Sequence, residues 1–265
     1  MKILLSIILS LTVGFIASVH AEGPAEDMLD IAGIKIGMTE AEAQAALEAF
    51  EPEIEITTFM AAFNLNDGAT LVKSPEFLER IEGSIGNSGP LFKVYFSGPV
   101  EEVRVIGISR TGILVNNRPT AEQFMNSLIS KYGQPTGVSN NNNSQPVWEV
   151  AGKPSCVRVR DYKNDVHINM PPGMGQSMII NANAEQFLAS RSGNNTGKGL
   201  IPEDVTQCGT FLSYNLGGDP VSTFSAELFD LGKLVMIDRS RTAWADQLEE
   251  EAIQQRIGQG RAPKL

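Results

Sequence analysis

Two capping boxes fix the starts of two helices and constrain the fold more than any other feature of this chain. Thr39 stands three residues before Glu42, and Thr120 stands three residues before Gln123. In this pattern the threonine hydroxyl accepts a hydrogen bond from the backbone N–H three residues on, and the Glu or Gln side chain accepts one from the N–H of the threonine. We therefore expect one helix to begin at each threonine.

The residues behind each cap have the spacing of an amphipathic helix. The two apolar stripes are Ala43, Leu47 and Phe50, and Phe124, Leu128 and Tyr132. A third helix is expected from about Arg241 to Ile257, where Gly258 ends the pattern. The sequence thus predicts three separate helices, each with one buried face.

Short strands are expected between these helices. Alternating or β-branched runs predict strands at residues 54–60, 91–97, 103–109, 147–150, 156–160, 178–182, 210–215, 221–229 and 234–238. The turn-rich stretch 64–90 is expected to be a long connection that carries a short helix or strand. The order helix, strands, helix, strands, helix favours an α+β fold, with helices packed on antiparallel sheets, over a doubly wound parallel sheet.

The chain is expected to divide into four segments. Residues 1–21 combine a basic Lys2, an apolar run and small residues before Glu22, which is the pattern of a cleaved secretory signal peptide. An N-terminal α+β half follows at 28–137, and a β-rich half with the terminal helix at 147–258. The tail 259–265 is expected to be disordered.

The signal peptide and the charge together predict the compartment and the class of partner. We expect a soluble periplasmic protein without a lipid anchor, because no cysteine follows the cleavage site, and without a later stretch of about 20 apolar residues. The chain has 21 Lys and Arg against 31 Asp and Glu, a net charge of −10, which disfavours nucleic acid and anionic lipid. The expected partner is another envelope protein or a small ligand.

The two cysteines, Cys156 and Cys208, are expected to form one disulfide in this oxidising compartment. The alternative is a redox or nucleophilic thiol. Neither cysteine belongs to a Cys-x-x-Cys motif, so the structural interpretation is favoured.

One segment offers possible metal ligands, although no catalytic residue is predicted anywhere. His167 is the only histidine after the signal peptide, and it lies near Met170, Met174 and Met178. Thioethers and an imidazole are soft ligands that suit Cu(I). We expect no cofactor, and the alternative is that this segment binds copper. The competing interpretation is that these methionines fill apolar gaps or cover a flexible binding surface.

Two short motifs carry a resemblance to a known family. They are Gly33–Thr39 (GIKIGMT), which leads into the first helix, and Lys131–Pro135 (KYGQP), which is followed by Trp148. This combination resembles the SmpA/OmlA (BamE-like) and β-lactamase-inhibitor-protein-like group of exported modules, over about half of the chain. The resemblance implies two helices on a three-stranded antiparallel sheet, binding of another protein in envelope assembly or inhibition, and no catalytic residues.

Overall fold

The computed structural model describes residues 23–86, 91–139, 145–153 and 208–258. These ranges hold a short 3-10 helix at Glu26–Met28 and three α-helices, which are α1 (Glu40–Phe50), α2 (Ala121–Tyr132) and α3 (Leu231–Gly258). The ten strands in the same ranges are β1 (Glu55–Ala61), β2 (Asn64–Asn66), β3 (Leu71–Lys73), β4 (Phe77–Ser84), β5 (Phe92–Phe96), β6 (Val105–Ile113), β7 (Gly137–Ser139), β8 (Gln145–Glu149), β9 (Thr210–Gly217) and β10 (Thr223–Asp230).

Eight of the strands form one antiparallel sheet, in the order β1-β4-β5-β6-β10-β9-β8-β7. Strands β2 and β3 form a separate two-stranded sheet. The pairing of β6 with β10 runs from Ile113 opposite Thr223 to Gly107 opposite Phe229. Strands from before and after α2 therefore belong to the same sheet.

The predicted fold class is wrong. We expected an α+β fold of helices packed on antiparallel sheets, whereas one large antiparallel sheet dominates the described residues and only three α-helices accompany it there. Part of the error lies in residues 64–90, which were expected to be a long connection with one short helix or strand but include β2, β3 and the eight-residue β4. Three charged residues interrupt the apolar pattern of β4 in the sequence. In the structure their side chains form ion pairs with one another. Arg80 donates to Glu82 Oε1 at 2.7 Å and also pairs with Glu79.

The strand predicted at residues 234–238 is also wrong, because α3 already begins at Leu231. Leu231, Leu234 and Ile237 are buried, and their spacing of three residues is that of a helix face. Asp230 Oδ1 accepts a hydrogen bond from the Lys233 N–H at 2.9 Å just before this face. A short apolar run does not distinguish a buried strand from a buried helix by its periodicity, which explains the error.

Both predicted capping boxes are confirmed. The Glu42 N–H donates to the Thr39 hydroxyl at 3.2 Å, and the Thr39 N–H donates to the Glu42 carboxylate at 2.8 Å. Thr120 and Gln123 make the equivalent pair of bonds at 3.1 and 2.9 Å. These local contacts place the buried residues of α1 and α2 in one apolar cluster with the sheet, which we call the central core.

Within the described ranges, no helix combines the length and the apolar character that a membrane crossing requires.

Candidate functional site

Most of the predicted site residues lie outside the described ranges. These are Cys156, His167, Met170, Met174 and Met178. Cys208 is described and is 4% exposed, two residues before β9. The disulfide and the copper site stay predictions, and no group of three or more His, Cys, Asp or Glu side chains in the described part of the chain is placed to hold a metal. A thiol assay that finds two reactive cysteines in the unreduced, unfolded protein would exclude the disulfide.

The first motif behind the family resemblance attaches α1 to the sheet. Gly37 has a φ of +87°, a conformation that favours glycine, and its N–H donates to the Val105 carbonyl at 2.8 Å. The Val105 N–H returns a bond of 2.8 Å to the Met38 carbonyl. These two backbone hydrogen bonds hold the start of α1 against β6. The segment therefore has a structural role.

The second motif lies in the central core. The Tyr132 hydroxyl donates to the Asp30 carbonyl at 2.7 Å, and the Trp148 indole N–H donates to the Gly133 carbonyl at 2.9 Å. The Tyr132 and Trp148 rings pack with their centroids 5.5 Å apart. Burial raises the pKa of Tyr132 to about 12, so the phenol stays protonated and donates this bond at neutral pH. These residues stabilise the fold.

A groove between the β2–β3 hairpin and α3 is a candidate site in the described residues, and we call it the hairpin–helix groove. It encloses about 600 Å³. Its apolar lining is Leu65, Val72, Pro75, Leu248 and Ala252, and its charged lining is Asp67, Lys73, Glu251 and Arg256. The hairpin side and the helix side thus contribute both apolar and charged surface.

Polar contacts hold the tip of the hairpin to α3. Arg256 Nη1 lies 2.9 and 2.8 Å from the two carboxylate oxygens of Asp67, and the Asn66 N–H donates to Glu249 Oε2 at 3.0 Å. The backbone N–H groups of Thr70 and Ala69 also donate to Asp67 and are the main cause that lowers its pKa to about 2. One carboxylate therefore organises both the turn and its contact with the helix.

The outer edge of β3 lies beside this groove. The Ser74 N–H donates to the Phe63 carbonyl at 2.9 Å, and the Asp67 N–H donates to the Thr70 carbonyl at 3.1 Å. Hydrogen-bonded pairs alternate along an antiparallel ladder, so the backbone groups of Leu71 and Lys73 point away from β2. No other strand in the described ranges pairs with β3, and Leu71 is 74% exposed.

The sequence contains a local signal for this hairpin, which the expected connection at 64–90 did not include. Asp67-Gly68 stands between two short apolar stretches, a pattern typical of tight β-hairpins. Gly68 has a φ of +92°, which the turn requires and glycine adopts without strain. The partner surface on α3 was beyond sequence reasoning, because Asp67 and Arg256 are 189 residues apart.

A second unusual arrangement surrounds Arg110 on β6. Its guanidinium carbon lies 4.6, 5.2 and 5.1 Å from the ring centroids of Phe50, Phe92 and Phe224. The first ring belongs to the end of α1, the second to β5 and the third to β10. Sequence reasoning missed this cluster because its four members come from four different elements.

No family model, curated protein or solved structure matches this chain. The resemblance to the SmpA/OmlA group stays a prediction, and function has to be inferred from the geometry of the chain itself.

Proposed function

We propose that this protein is an exported, non-catalytic binding protein of the periplasm, and that its hairpin–helix groove receives an extended segment of another protein. One observation carries the proposal. The outer edge of β3 has no strand partner in the described ranges and lies beside a groove that is lined by both apolar and charged side chains.

Strand addition is the mode of recognition that such an edge supports. Backbone N–H and C=O groups that point away from a sheet can pair with an incoming extended segment. Leu71 and Lys73 supply these groups on β3, and each hydrogen bond formed adds a net contribution of about 0.5–1.5 kcal/mol. The main-chain pairing would supply affinity without selecting a particular side chain.

The groove beside the edge supplies selectivity. Successive side chains of an extended segment point to opposite faces, so every second side chain would meet the apolar lining. Leu65 and Val72 form this lining on the hairpin, and Leu248 and Ala252 form it on α3. We therefore propose a partner segment with apolar residues at alternate positions.

Charge has a minor part in the proposed binding. Among the lining residues, Lys73 and Arg256 balance Asp67 and Glu251, and Arg256 already pairs with Asp67. A groove with no net charge does not steer a charged partner over long distances. Binding should therefore change little between low and physiological salt.

The export part of the proposal rests on the signal-peptide pattern of residues 1–21. Copper binding through His167 and Met170, Met174 and Met178 remains the alternative prediction for a segment outside the described ranges.

Site-specific photo-cross-linking in intact cells tests the proposal. A photoreactive residue at position 71 is compared with one at position 113, because Leu71 and Ile113 are both 74% exposed. We expect a discrete protein adduct from position 71 alone, and we expect Ala252→Arg, which fills the groove, to abolish it. Equal adducts from both positions would contradict the proposal, and so would an adduct that Ala252→Arg leaves unchanged. An adduct of twice the mass of this chain would assign the edge to self-association instead.

A further inference from the structure

We infer that Arg110, with the rings of Phe50, Phe92 and Phe224, forms a second binding site, for a small ligand that carries one carboxylate on an apolar body. This inference is independent of the hairpin–helix groove. It rests on a cation that three aromatic rings surround and that pairs with no anion in the described ranges.

The strands and α1 fix the position of the guanidinium. Arg110 lies on β6 opposite Phe92 of β5 and opposite Ala226 of β10, so the neighbouring strands hold its backbone on both sides. The rings of Phe92 and Phe224 are 2% and 9% exposed, whereas that of Phe50 is 45% exposed. The guanidinium therefore has buried rings behind it and a solvent-facing ring at its edge, which gives a ligand access past Phe50.

The N–H donors of Arg110 have no acceptor among the residues that the structure describes. A guanidinium has five N–H donors, and contact with aromatic rings leaves these donors without acceptors. No hydrogen bond or ion pair engages the Arg110 side chain in the part of the chain that the structure describes. Arg110 is partly buried, so the fold removes some of its donors from water without supplying an acceptor, and a bound carboxylate would offset that cost.

Most other arginines in the described ranges have an acceptor: Arg118 donates to the Leu114 carbonyl at 2.9 Å, whereas Arg239, which has no acceptor there, is exposed to solvent. Arg80, Arg104 and Arg256 each pair with a carboxylate, and Arg241 donates to the carbonyls of Phe96 and Gly98 at 2.7 and 2.6 Å. Burial lowers the pKa of Arg110, in agreement with a cation whose surroundings do not compensate its charge.

The chemistry of the site favours a single carboxylate over a phosphate dianion. Two N–H groups of a guanidinium match the two oxygens of a carboxylate, and one guanidinium balances one negative charge. The C-terminal end of α1, at Phe50, is the negative end of that helix dipole, and the chain has a net charge of −10. Both features oppose a second negative charge, while the rings favour an apolar body next to the carboxylate.

Titration of the full-length protein with phenylacetate, followed by NMR of the arginine Nε–Hε groups, tests the inference. The Arg110 signal is assigned by its loss in Arg110→Lys. We expect a saturable shift of this signal with a Kd on the order of 1 mM or tighter, together with a rise in Tm of about 3 °C at a tenfold excess over the Kd.

Three variants and a second ligand, inorganic phosphate, serve as controls for the titration. Arg110→Gln should abolish the rise in Tm, and Phe50→Ala should weaken phenylacetate binding severalfold because the ring borders the site. Arg104→Gln removes an arginine that is already paired with Glu102 and should leave binding unchanged. If Arg110→Gln fails to fold, Phe50→Ala decides the outcome, because Phe50 is 45% exposed and we expect its loss to leave the fold intact. The inference is overturned if the Arg110 signal does not respond to phenylacetate, if Phe50→Ala binds as tightly as the wild type, or if inorganic phosphate binds as tightly as phenylacetate.

Discussion

The central core and the hairpin–helix groove are built by opposite means. In the core, apolar side chains such as Trp148 and Leu212 are 0% exposed, and polar groups such as the Tyr132 hydroxyl serve to complete the packing. In the groove, an ion pair between Asp67 and Arg256 holds two elements together and leaves apolar surface between them accessible. Stability and recognition are thus assigned to different regions, and the two should respond differently to mutation.

Removal of a large side chain should separate the two regions most clearly. Trp148→Ala removes a fully buried ring and its hydrogen bond to the Gly133 carbonyl, so we expect a loss of about 3–5 kcal/mol in the free energy of unfolding. Leu248→Ala removes a partly buried side chain of the groove and should cost about 1 kcal/mol. Urea denaturation measures both values, and equal losses would contradict the division between core and groove.

A methyl group added between β6 and β10 should have the next largest effect on the free energy of unfolding. A Cβ atom at Gly107 would lie 2.0 Å from Cε1 of Phe229, a residue that is 0% exposed. We expect Gly107→Ala to cost about 1–3 kcal/mol through overpacking. The control is Gly258→Ala at the end of α3, where a Cβ would meet nothing within 4 Å and stability should change little. A Gly107→Ala protein as stable as the wild type would show that β6 and β10 are not packed as closely as described.

Loss of a capping hydroxyl should have a smaller effect. Thr120→Ala removes the acceptor for the Gln123 N–H, and we expect a cost of about 1 kcal/mol. Thr120→Ser keeps the hydroxyl and should restore most of that stability. Thermal unfolding of both variants measures the difference, and identical values for alanine and serine would mean that the capping bond contributes nothing.

Protonation of Asp67 should have the smallest effect and concerns the groove alone. The folded pKa of about 2 lies below the unfolded value of about 3.9, so this carboxylate stabilises the folded state above pH 4 and loses that contribution as the pH falls from about 4 to 2. Backbone donors are the main cause of the shift. In Arg256→Ala the pKa should therefore stay well below its ordinary value, as a ¹³C-carboxyl NMR titration can measure. A return to the ordinary value would assign the shift to the arginine.

The sequence predicted what depends on neighbouring residues. The starts of α1 and α2 were predictable because capping boxes act within three residues, and several strands were predictable from their alternation. The start of α3 was mistaken, because its apolar first turns resemble a buried strand. β4 was not located within residues 64–90, where a short helix or strand was expected, because the charges of Arg80, Glu79 and Glu82 interrupt the apolar pattern.

The candidate sites could not be predicted because their residues meet only through the topology. Arg110 contacts rings from α1, β5 and β10, and this depends on the pairing of β6 with strands before and after it in the chain. The groove joins Asp67 to Arg256 across most of the chain. Such contacts between distant residues leave no periodicity or spacing that one sequence displays.

Amide hydrogen exchange of the isolated protein tests most directly whether the edge of β3 is open. We predict near-unprotected exchange for the Leu71 and Lys73 amides, and among the slowest exchange for Ile108, whose strand β6 is paired on both sides. Protection of Leu71 and Lys73 comparable with that of Ile108 would mean that the edge is already covered, and it would contradict the proposed strand addition.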